Sequence, residues 1–239
     1  MQRLFISDLH LAEVASPQFQ TLSRLLQVES KRVDEIYILG DLCEVWVGDD
    51  DDAPFAAALR DIIREASNNS RVAFVHGNRD FLIGAQFARQ CRLELLGDPQ
   101  PIDPQTVVAH GDQFCIDDND YQQARRTLRS HAWQADILKQ PLAQRRALAA
   151  NLREQSIAAG ANKPANIMDV NVVEVARVMT ESGRKRLIHG HTHRPGVHAE
   201  AWGKRYVLGD WEHCGWLLRE AEASEPQLEC FALAGHYGT

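Results

Sequence analysis

The sequence predicts a layered α/β domain, and three observations carry that expectation. Short β-branched and apolar runs recur along the chain, and each stops abruptly at a polar cluster. Helical spacings of apolar residues lie between the early runs. A length of 239 residues, with 44% hydrophobic and 25% charged side chains, suits one globular domain over 1–239, with room for an insertion.

Taken in order, "RLFISDLH" ends in Asp8 and His10, and "EIYILGD" in Asp41. "VAFVHGN" ends in Asn78, "TVVAHGD" in His110 and Asp112, "RLIHGHTH" in His189, His191 and His193, and "RYVLGD" in Asp210. Apolar runs of four or five residues suit strands buried on both faces. Phe19, Leu22, Leu25 and Leu26 mark one helix, and Phe55, Leu59, Ile62 and Ile63 a second, with Pro54 at a natural helix start. From 121 to 166 the strand runs stop. Leu128, Ile137, Leu138, Leu142, Leu148 and Leu152 recur among Ala, Gln and Arg, which reads as a helical insertion that Pro141 begins or breaks. "EAEASEPQ" reads as a hairpin or loop.

Charge is unevenly spread. The net −7 conceals an insertion of about +6, in which Arg125, Arg126, Arg129, Lys139, Arg145, Arg146, Arg153 and Lys163 face only Asp136 and Glu154. Such an island fits an anionic substrate or lipid surface, or a solvated helix face. Net acidity, and no basic stripe interleaved with aromatic residues, argue against a nucleic-acid partner. No run approaches the roughly 18–20 apolar residues of a membrane span, and "MQRLFISDLH" lacks the features of a signal peptide. A cytoplasmic location is the expectation. Cys43, Cys91, Cys115, Cys214 and Cys230 are odd in number and form no C-x-x-C, so they read as small buried hydrophobes.

A polar residue after one strand is commonplace. Six strand ends that each deliver Asp, Asn or His are not, because α/β sheets gather their sites at the carboxyl ends of strands. Carboxylate, amide and imidazole without thiolate suit a divalent ion such as Mn, Fe or Zn. Asp8, His10, Asp41, Asn78, His110, His191 and His193 make seven candidates, too many for one ion, and a carboxylate can bridge two.

Asp8-Leu9-His10, "GDL" at Asp41, "HGNRD" at Asn78, "HGD" at His110 and "GHTH" at His191 and His193 closely resemble the calcineurin-like metallophosphoesterase superfamily, in its motif order. The resemblance implies a β-sandwich flanked by helices, with a dimetal site on strand-end loops. It would place Asp8, His10, Asp41 and His193 on one ion, and Asp41 as bridge with Asn78, His110 and His191 on the other. His189 has no place in that scheme and reads as a structural histidine. Many members carry G-N-H-[DE], whereas this chain has Arg79 after Asn78. Arginine cannot act as a general acid near neutral pH but can hold phosphate oxygens through its planar fork. Arg79 is therefore expected to stabilise charge, with Asp41 and Arg79 as the catalytic residues.

The G-N-R-D variant, "HGDQFCIDDNDYQ", the basic insertion and "IMDVN" are similar to the branch of that superfamily that acts on a UDP-linked diacylated glucosamine in lipid A biosynthesis. This similarity implies two ions, with Mn2+ expected. It further implies attack at the α-phosphate to give UMP and 2,3-diacylglucosamine 1-phosphate, with 121–166 as a cap over the acyl chains. Asn78, Arg79, Asp118, Ser156, Lys163 and His191 would contact substrate. Peripheral contact with the cytoplasmic face of the inner membrane follows, and no protein partner is inferred. The alternative is a dimetal phosphodiesterase or nucleotide pyrophosphatase for a soluble substrate. A non-enzymatic scaffold on this fold is expected to lack ligands, and all seven positions are filled.

Overall fold

The structure, a computed structural model, describes residues 1–160, 167–222 and 224–233. The expected α/β architecture is present as two sheets packed face to face, with helices on the outer faces. In chain order the first half runs β1 (Arg3–Ile6), α1 (Pro17–Glu29), β2 (Glu35–Ile38), α2 (Pro54–Ala66), β3 (Arg71–Phe74), α3 (Ala85–Cys91), β4 (Leu93–Leu95), β5 (Gln100–Pro101) and β6 (Thr106–Val108). Then follow α4 (Asn119–Leu128), α5 (His131–Leu138), α6 (Leu142–Gly160), α7 (Val172–Ser182), β7 (Arg186–His189), β8 (Gly196–Glu200), β9 (Gly203–Val207), β10 (Gly215–Glu220) and β11 (Gln227–Phe231). The first sheet has the order β11-β10-β1-β2-β3-β4, the second β5-β6-β7-β9-β8. "EAEASEPQ" falls at the β10–β11 turn of an antiparallel pair, as expected of a hairpin.

Alternation along each strand divides the core. Leu4, Ile6, Ile36, Ile38, Val72 and Phe74 face α1, α2 and α3, whereas Phe5, Tyr37, Leu39, Ala73 and Val75 meet Val108, Ile188, Tyr206 and Leu208 between the sheets. Val107, Ala109 and Leu187 face α7. Both faces are covered, which is why the runs read as continuously apolar. Each fully buried side chain of this size stabilises the fold by roughly 1.5–3 kcal/mol. Helix starts follow sequence signals. Ser16 accepts from Phe19 N ahead of Pro17, Pro54 opens α2, and Asn171 accepts from Val173 N and Glu174 N.

The helical stretch expected over 121–166 comprises α4, α5 and α6, starting two residues early at Asn119; residues 161–166 lie outside those described. Pro141 separates α5 from α6. Across these helices Arg145 is the one side chain among the described residues that is buried. They are held to the body largely by ion pairs. Arg125 and Arg129 reach Asp112, Arg145 reaches Asp50, Arg146 reaches Asp51 and Asp52, and Arg153 reaches Glu44. Most of the basic island is thus consumed internally, a use its composition did not reveal.

The cysteines need one correction. Cys43, Cys91 and Cys115 are buried, but Cys214 is half-buried and Cys230 exposed. Cys214 precedes β10 and Cys230 lies in β11 at the edge of the first sheet, with their Sγ atoms 3.0 Å apart.

Candidate active site

Strands β1, β2 and β3 run parallel, as do β6, β7 and β9, so their carboxyl ends supply the loops that carry all seven candidate ligands. Backbone bonds stitch those loops together: His10 N donates to Asp41 O, Gly190 N to His110 O, and Trp211 N to Asp8 O. Six non-glycine residues among those described hold left-handed backbone, and five of them are Asp8, His10, Asp41, His191 and His193. That conformation is unfavourable for side chains with a Cβ and concentrates where function demands it. No sequence pattern announces it.

Two of the motif glycines are required by close approach. A Cβ on Gly77 would lie 2.1 Å from Asp41 Oδ1, and one on Gly190 2.1 Å from Asp8 Oδ2. The glycines of "HGN" and "GHTH" therefore admit the carboxylates.

Asp8 and Asp41 are buried and divide their oxygens between two tasks. Asp8 Oδ2 accepts from Ser7 Oγ and His191 N, while Oδ1 accepts no hydrogen bond among the described residues and lies 3.4 Å from His193 Nε2. Asp41 Oδ1 accepts from Arg79 N and stands 3.7 Å from His110 Nε2, and its Oδ2 stands 3.8 Å from His10 Nε2. Asp41 thus reaches both sides of the cluster, the placement a bridging ligand needs.

The histidines are held for the same task. His110 Nδ1 donates to Leu39 O at 2.9 Å, which turns Nε2 toward Asn78 Oδ1 at 3.0 Å. Two acceptors face each other there unless a proton or a cation lies between them. His10 and His193 present their Nε2 atoms to one another at 3.4 Å. Burial alone would lower His110, but Asp41, Asp112 and Asp8 outweigh it and push it up to about 9. His191 is pushed down to about 4 by burial and by His110.

Asp8, His10 and His193 offer one set of ligand atoms mutually within 4.8 Å, and Asp8, Asp41 and His110 a second. An orphaned buried carboxylate oxygen, facing imidazole lone pairs and an amide oxygen without thiolate fit one or two borderline divalent cations. His191 joins the cluster through its ring, 4.9 Å from that of His110. His189 does not: it is buried beside Phe114, and burial lowers it to about 3.

A cavity of about 540 Å³ opens on this cluster, lined by Asn78, Arg79, His191 and His193 at one end. Trp46, Phe81, Leu128, Trp133, Leu148 and Leu152 give it apolar walls, so several leucines of the helical stretch line a trough instead of packing beneath it. Asp118 and Ser156 line the same cavity; Asp118 also caps α4 by accepting from Tyr121 N. Arg79 Nε is buried without a hydrogen-bond partner among the described residues. Lys163 lies outside the described residues.

Sequence reasoning gave no role to Asp80, Asp112, Asp98 or Glu44. Asp80 accepts from Leu42 N and Gly77 N, fixing the two loops that present Asp41 and Asn78, and burial with the Asp41 charge raises it to about 7. Its place in "GNRD" was the available signal.

Fold and site together define a phosphoesterase of the calcineurin-like class: the chain belongs to the calcineurin-like phosphoesterase family, whose model matches residues 1–195 and whose members use a dimetal centre. Among its relatives, a protein of Aromatoleum aromaticum is 43% identical over 95% of this chain and 96% of its own. One of Cellvibrio japonicus is 42% identical over 91% and 94%. Both are called UDP-2,3-diacylglucosamine hydrolase. In fold the chain is similar to a dimetal phosphatase of Danio rerio, with a TM-score of 0.53 at 15% identity over 98% of this chain and 96% of that one. It is also similar to an archaeal phosphodiesterase, with a TM-score of 0.51 at 13% identity over 97% and 100%.

Proposed function

We propose that this chain hydrolyses UDP-2,3-diacylglucosamine at the α-phosphate, releasing UMP and 2,3-diacylglucosamine 1-phosphate. The observation that carries this reading is the apolar cavity of about 540 Å³ opening directly on the ligand cluster. A soluble nucleotide has no use for a trough walled by two tryptophans and several leucines, whereas two acyl chains do. The name shared by relatives more than 40% identical supports the same substrate.

Asp8, His10, Asp41 and His193 would hold one ion, and Asp41, Asn78, His110 and His191 the other, with Mn2+ the expected metal. A pair of such ions supplies an activated water and neutralises charge on phosphorus. The chain's own residues do the rest. Asp80 fixes the loops of Asp41 and Asn78. Arg79, with a buried Nε and a backbone anchored on Asp41, holds phosphate oxygens and stabilises the charge of the transition state. Asp118, Ser156, Lys163 and His191 contact the glucosamine phosphate. The apolar walls orient the acyl chains and exclude water. In this reading 1–239 is one domain, and 121–166 is its cap.

We also assign the chain to the cytoplasmic face of the inner membrane as a peripheral protein, because its substrate is a lipid. No described helix is long and apolar enough to cross a membrane. With Arg125, Arg129, Arg145, Arg146 and Arg153 in ion pairs, attraction to anionic headgroups rests on few cations, at about 1 kcal/mol each.

Hydrolysis in 18O-labelled water tests the reading. Attack at the α-phosphate puts the label in UMP; label in the lipid product would overturn that step, and no hydrolysis would overturn the substrate.

A further inference from the structure

Two carboxylates outside the expected ligand set stand behind the two histidines at the open side of the cluster. His10 and His193 turn Nε2 inward, toward each other, and Nδ1 outward. Glu44 Oε2 lies 3.2 Å from His10 Nδ1, close but not aligned for a full hydrogen bond, and that nitrogen has no other acceptor among the described residues. Asp210 Oδ2 lies 3.3 Å from His193 Nδ1, while its Oδ1 accepts from Glu212 N. His110, on the buried side, uses the Leu39 carbonyl for the same purpose. Three imidazoles are thus approached at the nitrogen that points away from the cluster.

We propose that Glu44 and Asp210 are positioning residues for His10 and His193, and that Glu44 ties this half of the metal centre to the helical stretch. The inference rests on the dimetal reading given above. A carboxylate that accepts the outer N–H of a ligating histidine fixes its tautomer and orientation and raises its basicity. Glu44 has a second engagement: its Oε1 pairs with Arg153 of α6. One side chain therefore touches both a histidine of the site and a helix that walls the cavity. Displacement of α6 withdraws Arg153 and leaves Glu44 free to leave His10. Asp210 pairs with no residue of α4–α6 among the described contacts, so the two carboxylates separate orientation from coupling.

The test is Mn2+ binding to the full chain, followed by electron paramagnetic resonance and calorimetry, for wild type, Glu44→Ala, Glu44→Gln, Asp210→Ala and Arg153→Ala. Wild type is expected to take up two ions. Glu44→Ala and Asp210→Ala weaken one of them about 10–100-fold and leave the other unchanged. Glu44→Gln, which keeps an acceptor oxygen, loses less, and Arg153→Ala weakens the same ion by a smaller factor. Both carboxylates are 27% exposed, so thermal melting of the metal-free variants should match wild type. Should either alanine variant melt early, Glu44→Gln and Asp210→Asn carry the comparison. Two ions in wild type with both affinities kept within twofold in the carboxylate variants overturns the positioning role. Fewer than two ions in wild type overturns the dimetal reading, and this proposal with it.

Discussion

His10 and His193 face each other Nε2 to Nε2 at 3.4 Å, although they follow strands of different sheets and lie 183 residues apart. Each of the two residues holds left-handed backbone to do so. Neutral imidazoles repel in that arrangement unless a proton or a cation lies between them. His10→Ala is expected to lose one of two bound ions by calorimetry and to drop turnover to background, while metal-free melting changes by less than about 1 kcal/mol, since removing a strained, partly exposed side chain costs little packing.

Arg79 should separate charge stabilisation from metal binding. Arg79→Lys keeps the charge but loses the planar fork, so kcat is expected to fall about 10²-fold with metal affinity unchanged. Equal loss in kcat and in metal affinity would instead make Arg79 a support for Asp41, whose Oδ1 its backbone N already binds.

Occupancy of the trough should govern the lipid and not the chemistry. Leu152→Trp narrows the cavity wall and is expected to raise KM for the diacylated substrate at least tenfold. Turnover of a small soluble phosphodiester should stay within about twofold, because uniform binding is lost without touching transition-state contacts.

The anchor of α4 predicts an acid limit. Burial would raise the Asp112 carboxyl, but Arg129, His110 and Arg125 outweigh it and hold it well below the usual carboxylate range. A depressed folded value means stability that is present above the unfolded pKa of about 3.9 and is lost as pH falls toward the folded one. Denaturant titrations of the metal-free protein should show that loss below about pH 4. Asp112→Asn should flatten it and cost about 3 kcal/mol at pH 7, the low end for breaking a buried ion pair, because Arg125 and Arg129 retain Asp98.

Much of this was legible in the sequence, and the reasons are local. The strand runs, Pro54, Pro141 and the "GHTH" and "HGN" stretches carry signals within ten residues, so the alternating core follows the pattern, and Asp8, His10, Asp41, His110 and His193 come together in two clusters. What stayed hidden depends on distant pairing. Asp50, Asp51 and Asp52 gain their partners only when Arg145 and Arg146 arrive from about 95 residues away. Glu44 and Asp210 acquire meaning only when the sheets bring His10 and His193 beside them. The left-handed backbone of five ligand candidates leaves no trace in composition, since none of them is glycine.

The most direct measurement is release of UMP from UDP-2,3-diacylglucosamine in detergent micelles, with Mn2+ and after chelation, for wild type and His10→Ala. The expected result is release that chelation abolishes, that Mn2+ restores, and that His10→Ala lacks. Absence of UMP from protein that binds two ions and cleaves a simple phosphodiester would contradict the substrate. UMP release that survives chelation would contradict the metal chemistry.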